Sequence, residues 1–293
     1  MSTYYTDREY GARPPSVDTI DDRLWAGLYS LIQTRIGDGS FGLRFPEQCP
    51  DGNGPCGCDV QAFHRVLTAE VPWVESPLSA TETPKTPVIL DLLEFCARAV
   101  GEPIQGAYHS FHRHHHLSWD RHSGLQRFVG EVNMLFRRNA LALELTPEGQ
   151  ARRLLPAPLA EVVGWTLFQT GDAETDRLLE SARLRVLSPK EDDRRDALEK
   201  LWDAFERLKT LEPGANKRVQ ADALLDGVAS VGSGYRGMLA REAAELTTIG
   251  NSFRIRHSEV TQQALTSQDQ VDYLFTRMFA FVRLVLRRTG RGG

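Results

Sequence analysis

The chain has 293 residues, of which 41% are hydrophobic and 25% charged, with a formal net charge of −4. That length accommodates two domains or one large one, and the composition is that of an ordinary globular protein. The balance excludes a global basic field for nucleic acid, no apolar run reaches the roughly 18 residues that span a bilayer, and four cysteines do not make a disulfide scaffold.

Residues 1–20 are polar, carry Pro14-Pro15, and read as an extended arm without the basic-then-apolar layout of a signal peptide. Asp21-Asp22 opens a predicted helix with Leu24, Trp25, Leu28, Leu31 and Ile32 at helical spacing, ending around Gly37-Asp38-Gly39. Gly- and Pro-rich residues 40–58 are predicted to be loop. Helical patterns return over about 59–70 and 87–100, separated by an irregular connection containing Pro72, Pro77, Pro84 and Pro87.

The pattern at Val132–Arg138 fits no single element type. Beyond it, Ala140–Leu145 and Gln150–Leu155 flank Thr146-Pro147-Glu148-Gly149, which predicts a hairpin with glycine in the left-handed position. Pro156-Ala157-Pro158 then reads as a linker, giving domains 1–158 and 159–293.

The second domain is helical almost throughout. Ser188-Pro189-Lys190-Glu191 predicts a helix start with serine as cap and proline in the first turn, and Leu198, Leu201, Trp202, Phe205 and Leu208 form the apolar face that follows. Further helices are expected at 217–229 and about 234–249. The last begins at a Ser267-x-x-Gln270 box and carries Val271, Leu274, Phe275, Met278, Val282, Val285 and Leu286. The fold class is therefore mainly α: a small α+β N-terminal domain followed by an antiparallel helical bundle.

Three groups of residues have chemical potential. Cys49, Cys56, Cys58 and His64 offer thiolates and an imidazole, but their C-x6-C-x-C-x5-H spacing is not a zinc pattern and reads as a surface loop; Cys96 sits on an apolar helix face. The run His109-Ser110-Phe111-His112-Arg113-His114-His115-His116 cannot turn consecutive histidines to one ion on regular structure. Only an i, i+4 pair such as His112 and His116 on a helix would converge, so the run reads as a basic surface segment. No metal or cofactor is assigned. Gly232-Ser233-Gly234 lacks the preceding strand of a phosphate loop, and no G-x-S-x-G elbow occurs.

The third group is Ile249-Gly250-Asn251-Ser252-Phe253-Arg254-Ile255-Arg256-His257-Ser258-Glu259, between two strongly helical segments. Arginine binds phosphate through a permanently charged fork and histidine moves protons near neutral pH, so the run holds the groups needed to cut RNA without a metal. The alternative is a helix-capping loop whose arginines pair with Glu206, Glu242 or Glu245. Arg277, Arg283, Arg287, Arg288 and Arg291 give the final helix a local basic excess, which also complements its dipole.

Two stretches carry a resemblance. Tyr5-Thr6-Asp7-Arg8-Glu9-Tyr10-Gly11-Ala12-Arg13-Pro14, followed by Asp21-Asp22-Arg23-Leu24-Trp25-Ala26-Gly27-Leu28, resembles the opening of AbiJ-type abortive-infection proteins. Residues 197–210 and the run 250–259 are similar to HEPN bundles, the helical ribonucleases of bacterial defence and toxin systems. Together these pieces touch roughly the first 30 residues and the last 120.

The resemblance implies a metal-independent endoribonuclease of phage defence, cytoplasmic, homodimeric through its C-terminal bundle, with RNA as substrate and with a possible antitoxin or other defence partner. It implies His257 as the base toward the ribose 2′-hydroxyl, Arg254 and Arg256 on the phosphate, Asn251 as the neighbouring polar residue, and Glu206 or Glu259 orienting the imidazole. The family motif R-x(4–6)-H is not met strictly: its arginine position falls at Gly250 or Asn251. A non-catalytic RNA- or partner-binding dimer and a purely structural dimeric module are the alternatives.

Overall fold

The computed structural model describes residues 4–11, 14–155, 160, 163–164, 166–253, 255 and 262–292. The chain divides into two compact units, Met1–Leu154 and Leu155–Gly293. Each has its own apolar core.

The first unit starts with a short helix, α1 (Tyr5–Tyr10), where the sequence predicts an extended arm. Arg138 pins it, with Nη1 2.6 Å from Asp7 Oδ1 and the guanidinium over the Tyr4 ring. Helix α2 (Asp22–Gly37) is capped by Asp21, whose side chain accepts from Leu24 N. A single 3-10 turn, Ser40–Leu43, follows.

The stretch predicted as loop then forms a small hairpin, β1 (Pro46–Gln48) with β2 (Pro55–Cys58). Strand propensity is low there, and pairing between the two short segments overrides it. Helices α3 (Val60–Glu70) and α4 (Thr86–Ala99) come next, then the hairpin β3 (Glu102–His109) and β4 (His114–Asp120). Helix α5 (Arg121–Arg138) absorbs the ambiguous 132–138 stretch. Finally β5 (Leu143–Leu145) pairs β6 (Ala151–Arg153) across the predicted turn, with Gly149 at φ +83°.

Trp25, Phe41, Phe63, Phe95, Phe128 and Phe136 fill the core among these helices. Trp119 Nε1 donates to Gly39 O at 2.9 Å, tying β4 to the end of α2. Arg121 Nη1 donates to Ala97 O and Val100 O, both at 2.7 Å, placing a cation on the C-terminal carbonyls of α4.

The second unit packs α6 (Ala173–Arg185), α7 (Glu191–Leu208), α8 (Lys217–Asp226), α9 (Gly234–Ser252) and α10 (Gln268–Arg288) around Trp202, Phe205, Phe275, Phe279 and Met278. The Ser267 box forms in full at the start of α10. Ser233, from the rejected phosphate loop, caps α9 instead. The expected serine cap of α7 does not form. Lys190 takes that position, while Ser188 Oγ donates to Asp193 Oδ2 at 2.6 Å.

Asp172 caps α6 and also links it to α7. Its carboxylate accepts from Thr175 N at 2.8 Å and Thr175 Oγ1 at 2.7 Å, and from Arg207 Nη2 at 2.8 and 3.0 Å. The Thr175 hydroxyl first, then Arg207, lowers its pKa to about 2. Asp172→Ala is expected to destabilise the unit by about 1–2 kcal/mol, the loss of a helix cap plus an exposed ion pair. Because the folded pKa lies below the ordinary value of 3.8, this contribution is complete above that pH and lost as pH falls through about 2. Unfolding curves for wild type and Asp172→Ala should therefore converge in acid; an undiminished gap at pH near 2 would refute the assignment.

Candidate functional site

Of the residues that sequence and resemblance nominate for RNA chemistry, Arg254, Arg256, His257 and Glu259 lie outside the described residues. Asn251 and Glu206 are described, as is the frame from which the run departs. The last turns of α9 rest on α7: Trp202 Nε1 donates to Leu246 O at 2.9 Å, and a Cβ on Gly250 would fall 2.3 Å from that nitrogen. Only glycine allows the helix so close to the indole.

Lys209 Nζ bonds Glu206 Oε1 at 2.6 Å and Thr247 Oγ1 at 2.8 Å, fastening the same two helices. Beyond α9 the chain is closed at its base, since Phe253 bridges Gln263, Gln263 N donates to Ser252 O at 3.1 Å, and Gln262 Nε2 donates to Asn251 O at 3.0 Å. Glu206 pairs with Lys209, and Glu242, another carboxylate offered to the arginines, holds Arg277 at 2.9 and 3.0 Å.

On α10, Ala280, Arg283, Leu284, Arg287 and Arg288 line an open groove of about 510 Å³ with no carboxylate among them. Arg288 Nε donates to Val228 O at 3.2 Å. Positive charge on an open apolar floor suits an anionic strand.

A different constellation, which sequence reasoning passed over, assembles in the first unit. The histidine run is not helical: it is the tip of the β3–β4 hairpin, from His109 at the end of β3 through the turn to His114–His116 at the start of β4. Strand alternation sends His114 and His116 to one face and His115 to the other, where its Nδ1 meets Gly106 O at 3.0 Å. A register shift in β3 between Gln105 and Tyr108 adds one residue, so His109 pairs with His114 and shares its face. In the unshifted register Tyr108 would stand there instead.

Cys49, at the start of the tight β1–β2 connection, is 2% exposed, and its Sγ is 3.5 Å from His109 Nδ1. Asp51, in the same connection, places Oδ2 3.0 Å from His109 Nε2. His112, in the hairpin turn, stands with its ring centroid 4.8 Å from that of His109.

The donor atoms of Cys49, His109, His114 and His116 lie within 4.8 Å of one another, as do those of Cys49, Asp51, His109 and His112. His114 Nε2 and His116 Nδ1 are buried without a hydrogen-bond partner. Such atoms cost about 1–3 kcal/mol each unless something satisfies them. Burial, then the neighbouring histidines, lower the His114 pKa. A hydrogen bond from the Cys49 thiol, then one from the Asn53 backbone, depress that of Asp51 far below the carboxylate range.

The cysteine–histidine set weighed from sequence does not assemble. Cys56, Cys58 and His64 join neither group, Cys58 is buried in the core with its pKa pushed up to about 12, and His64 Nδ1 contacts Ser76 Oγ at 3.3 Å. The available sequence signal was the alternating His114-x-His116 pattern flanked by Leu117 and Trp119, strand-favouring residues.

Among the described residues no helix is long and apolar enough to cross a membrane. Comparison with protein-family models, with curated proteins and with solved structures gave no match to this chain.

Proposed function

We propose that the protein is a metal-independent endoribonuclease of HEPN type, belonging to an abortive-infection or phage-defence system and working as a homodimer through its C-terminal bundle. The observation that carries this reading is made on the described residues that flank the Arg254–Glu259 run in sequence: Asn251–Phe253, at the end of α9, are tied to Gln262–Gln263, ahead of α10. The arginine-lined groove of α10 supports it as a place for the RNA backbone.

In this chemistry His257 takes the proton of a ribose 2′-hydroxyl while Arg254 and Arg256 stabilise charge on the phosphoryl oxygens. The 2′-oxygen attacks phosphorus, the 5′-oxygen leaves, and a 2′,3′-cyclic phosphate results. Asn251, exposed in the last turn of α9, is the neighbouring polar residue, and Glu206 or Glu259 is the carboxylate that orients the imidazole.

A second reading, a non-catalytic bundle that binds RNA or a protein partner, is favoured by one observation. The Glu206 carboxylate, a candidate to orient His257, is held by Lys209.

Incubation of the full chain with total RNA in chelator separates them. Cleavage with cyclic-phosphate ends, lowered roughly 10²–10⁴-fold in His257→Ala, is the expected result. Binding without cleavage, weakened in Arg254→Ala and Arg256→Ala, would replace the first reading by the second.

A further inference from the structure

We propose that the tips of the β1–β2 and β3–β4 hairpins hold one zinc ion, ligated by Cys49 Sγ, His109 Nδ1, His114 Nε2 and His116 Nδ1, with Asp51 behind His109 in the outer shell. This site is separate from the ribonuclease reading, which needs no metal, and either can stand without the other.

Donor chemistry narrows the ion. One thiolate with three imidazoles suits zinc and excludes magnesium and calcium, which take oxygen ligands. Geometry fits as well. Zinc–nitrogen bonds of about 2.0–2.1 Å and a zinc–sulfur bond of about 2.3 Å place tetrahedral ligand atoms roughly 3.3–3.6 Å apart. Cys49 Sγ and His109 Nδ1 already stand 3.5 Å apart, and the other donors of the set lie within 4.8 Å.

The atoms assigned to the ion at His114 and His116 are those buried without a protein partner. The ion supplies the partner that each ring nitrogen lacks. For His109 the choice of nitrogen follows from its other neighbour: Nε2 faces Asp51 Oδ2 at 3.0 Å, which leaves Nδ1 toward the sulfur. Carboxylate–histidine–metal triads fix a ligand ring in this manner. That arrangement also decides between the two overlapping donor groups, because Asp51 engaged by His109 Nε2–H acts from outside the first coordination sphere.

The backbone is shaped to bring the donors together. The register shift in β3 turns His109 onto the face of His114 and His116. Gly54, at φ +134°, lies against the site, where a Cβ would come 3.3 Å from His116 Nδ1. Cys49 N donates to Gly54 O at 2.9 Å, which folds the connection over the histidines.

Zinc binding is then a crosslink between two ribbons too short to be stable alone. The Cys49 thiol gives up its proton on ligation, the sulfur–zinc bond replaces its hydrogen bond to Asp51, and the proton leaves to solvent.

The test is metal content and cobalt substitution in the full chain carrying no polyhistidine tag. The expected result is one zinc per chain after purification or after refolding with zinc. Cobalt in its place should give visible bands of tetrahedral strength and a near-ultraviolet thiolate-to-cobalt band. Cys49→Ser should abolish the thiolate band, His114→Ala and His116→Ala should lower affinity by at least about 10²-fold, and Asp51→Asn by about 10–100-fold. Cys56→Ser should change nothing, and circular dichroism checks that each variant folds.

Three results would overturn the proposal: no stoichiometric binding of zinc or cobalt by the refolded chain; a thiolate band that survives Cys49→Ser; or binding lost in His112→Ala but retained in His114→Ala, which would give the ion to the other donor group.

Discussion

Trp202→Ala is expected to destabilise the second unit by about 3–5 kcal/mol, the range for deleting a fully buried aromatic side chain. The indole is 0% exposed, packs in the core with Phe205, and donates to Leu246 O across the α7–α9 contact. Truncation therefore leaves a cavity where Gly250 and the indole now touch. Gly250→Val attacks the same contact from the other side: side-chain atoms would enter a space where even a Cβ meets the indole at 2.3 Å. Overpacking of this kind costs about 1–3 kcal/mol.

The two variants share one readout. Both should loosen the last turns of α9, seen as faster amide hydrogen exchange at residues 243–253, while α2 to α5 keep their protection. On the ribonuclease reading RNA cleavage falls with that protection, because α9 carries the run with His257. A Trp202→Ala chain within about 1 kcal/mol of wild type, with α9 exchange unchanged, would show that this junction does not hold the bundle together.

What was legible in the sequence was local. The Ser267–Gln270 box, the Asp21 cap and the Thr146–Gly149 turn are each specified within a few residues, and each appears where expected. Helical faces such as Leu198, Leu201, Trp202, Phe205 and Leu208 are legible for the same reason, since their period is written along a single segment. Ser188-Pro189 is displaced as the start because the helix begins two residues later: Ser188 Oγ accepts from Lys190 N at 3.2 Å while donating to Asp193.

The histidine face was not legible because nothing local specifies it. Its donors come from residues 49 and 109–116, sixty positions apart at the closest pair, and their convergence needs a strand register with one extra residue. Strand alternation in the run pairs His114 with His116 but cannot add His109 or Cys49 to their face. Only pairing with β3, and the β1–β2 connection folding over it, selects three rings and a thiol. The Gly- and Pro-rich residues 40–58 hid that connection: their composition describes turns well and gives little sign of two short strands.

The first unit allows a test of a buried charge. Arg35 is only 3% exposed, and its guanidinium holds Asp38 Oδ2 at 2.7 Å and Glu131 Oε2 at 2.5 Å, joining α2 to α5. Asp38 in turn accepts from Ser40 N and Oγ, and Glu131 accepts from Arg127 Nε at 3.3 Å. Removing one partner of a buried pair costs about 3–5 kcal/mol, whereas replacing the charge by an apolar chain of similar size is often nearly neutral. Here both carboxylates are about a third exposed, at 34% and 31%, so water screens part of the loss. Glu131→Ala is thus expected to destabilise the unit by about 1–3 kcal/mol, and Arg35→Met by less than about 1 kcal/mol.

The decisive comparison is the double variant. With Arg35→Met in place, Glu131→Ala should have little further effect, because no buried guanidinium is left stranded; the coupling is the difference between the two steps. Denaturant unfolding of the four chains, followed through the helical signal, supplies the cycle. Should Arg35→Met prove the more damaging single change, the paired guanidinium contributes net stability that an apolar chain of similar size does not replace, and the expectation of a nearly neutral replacement is wrong.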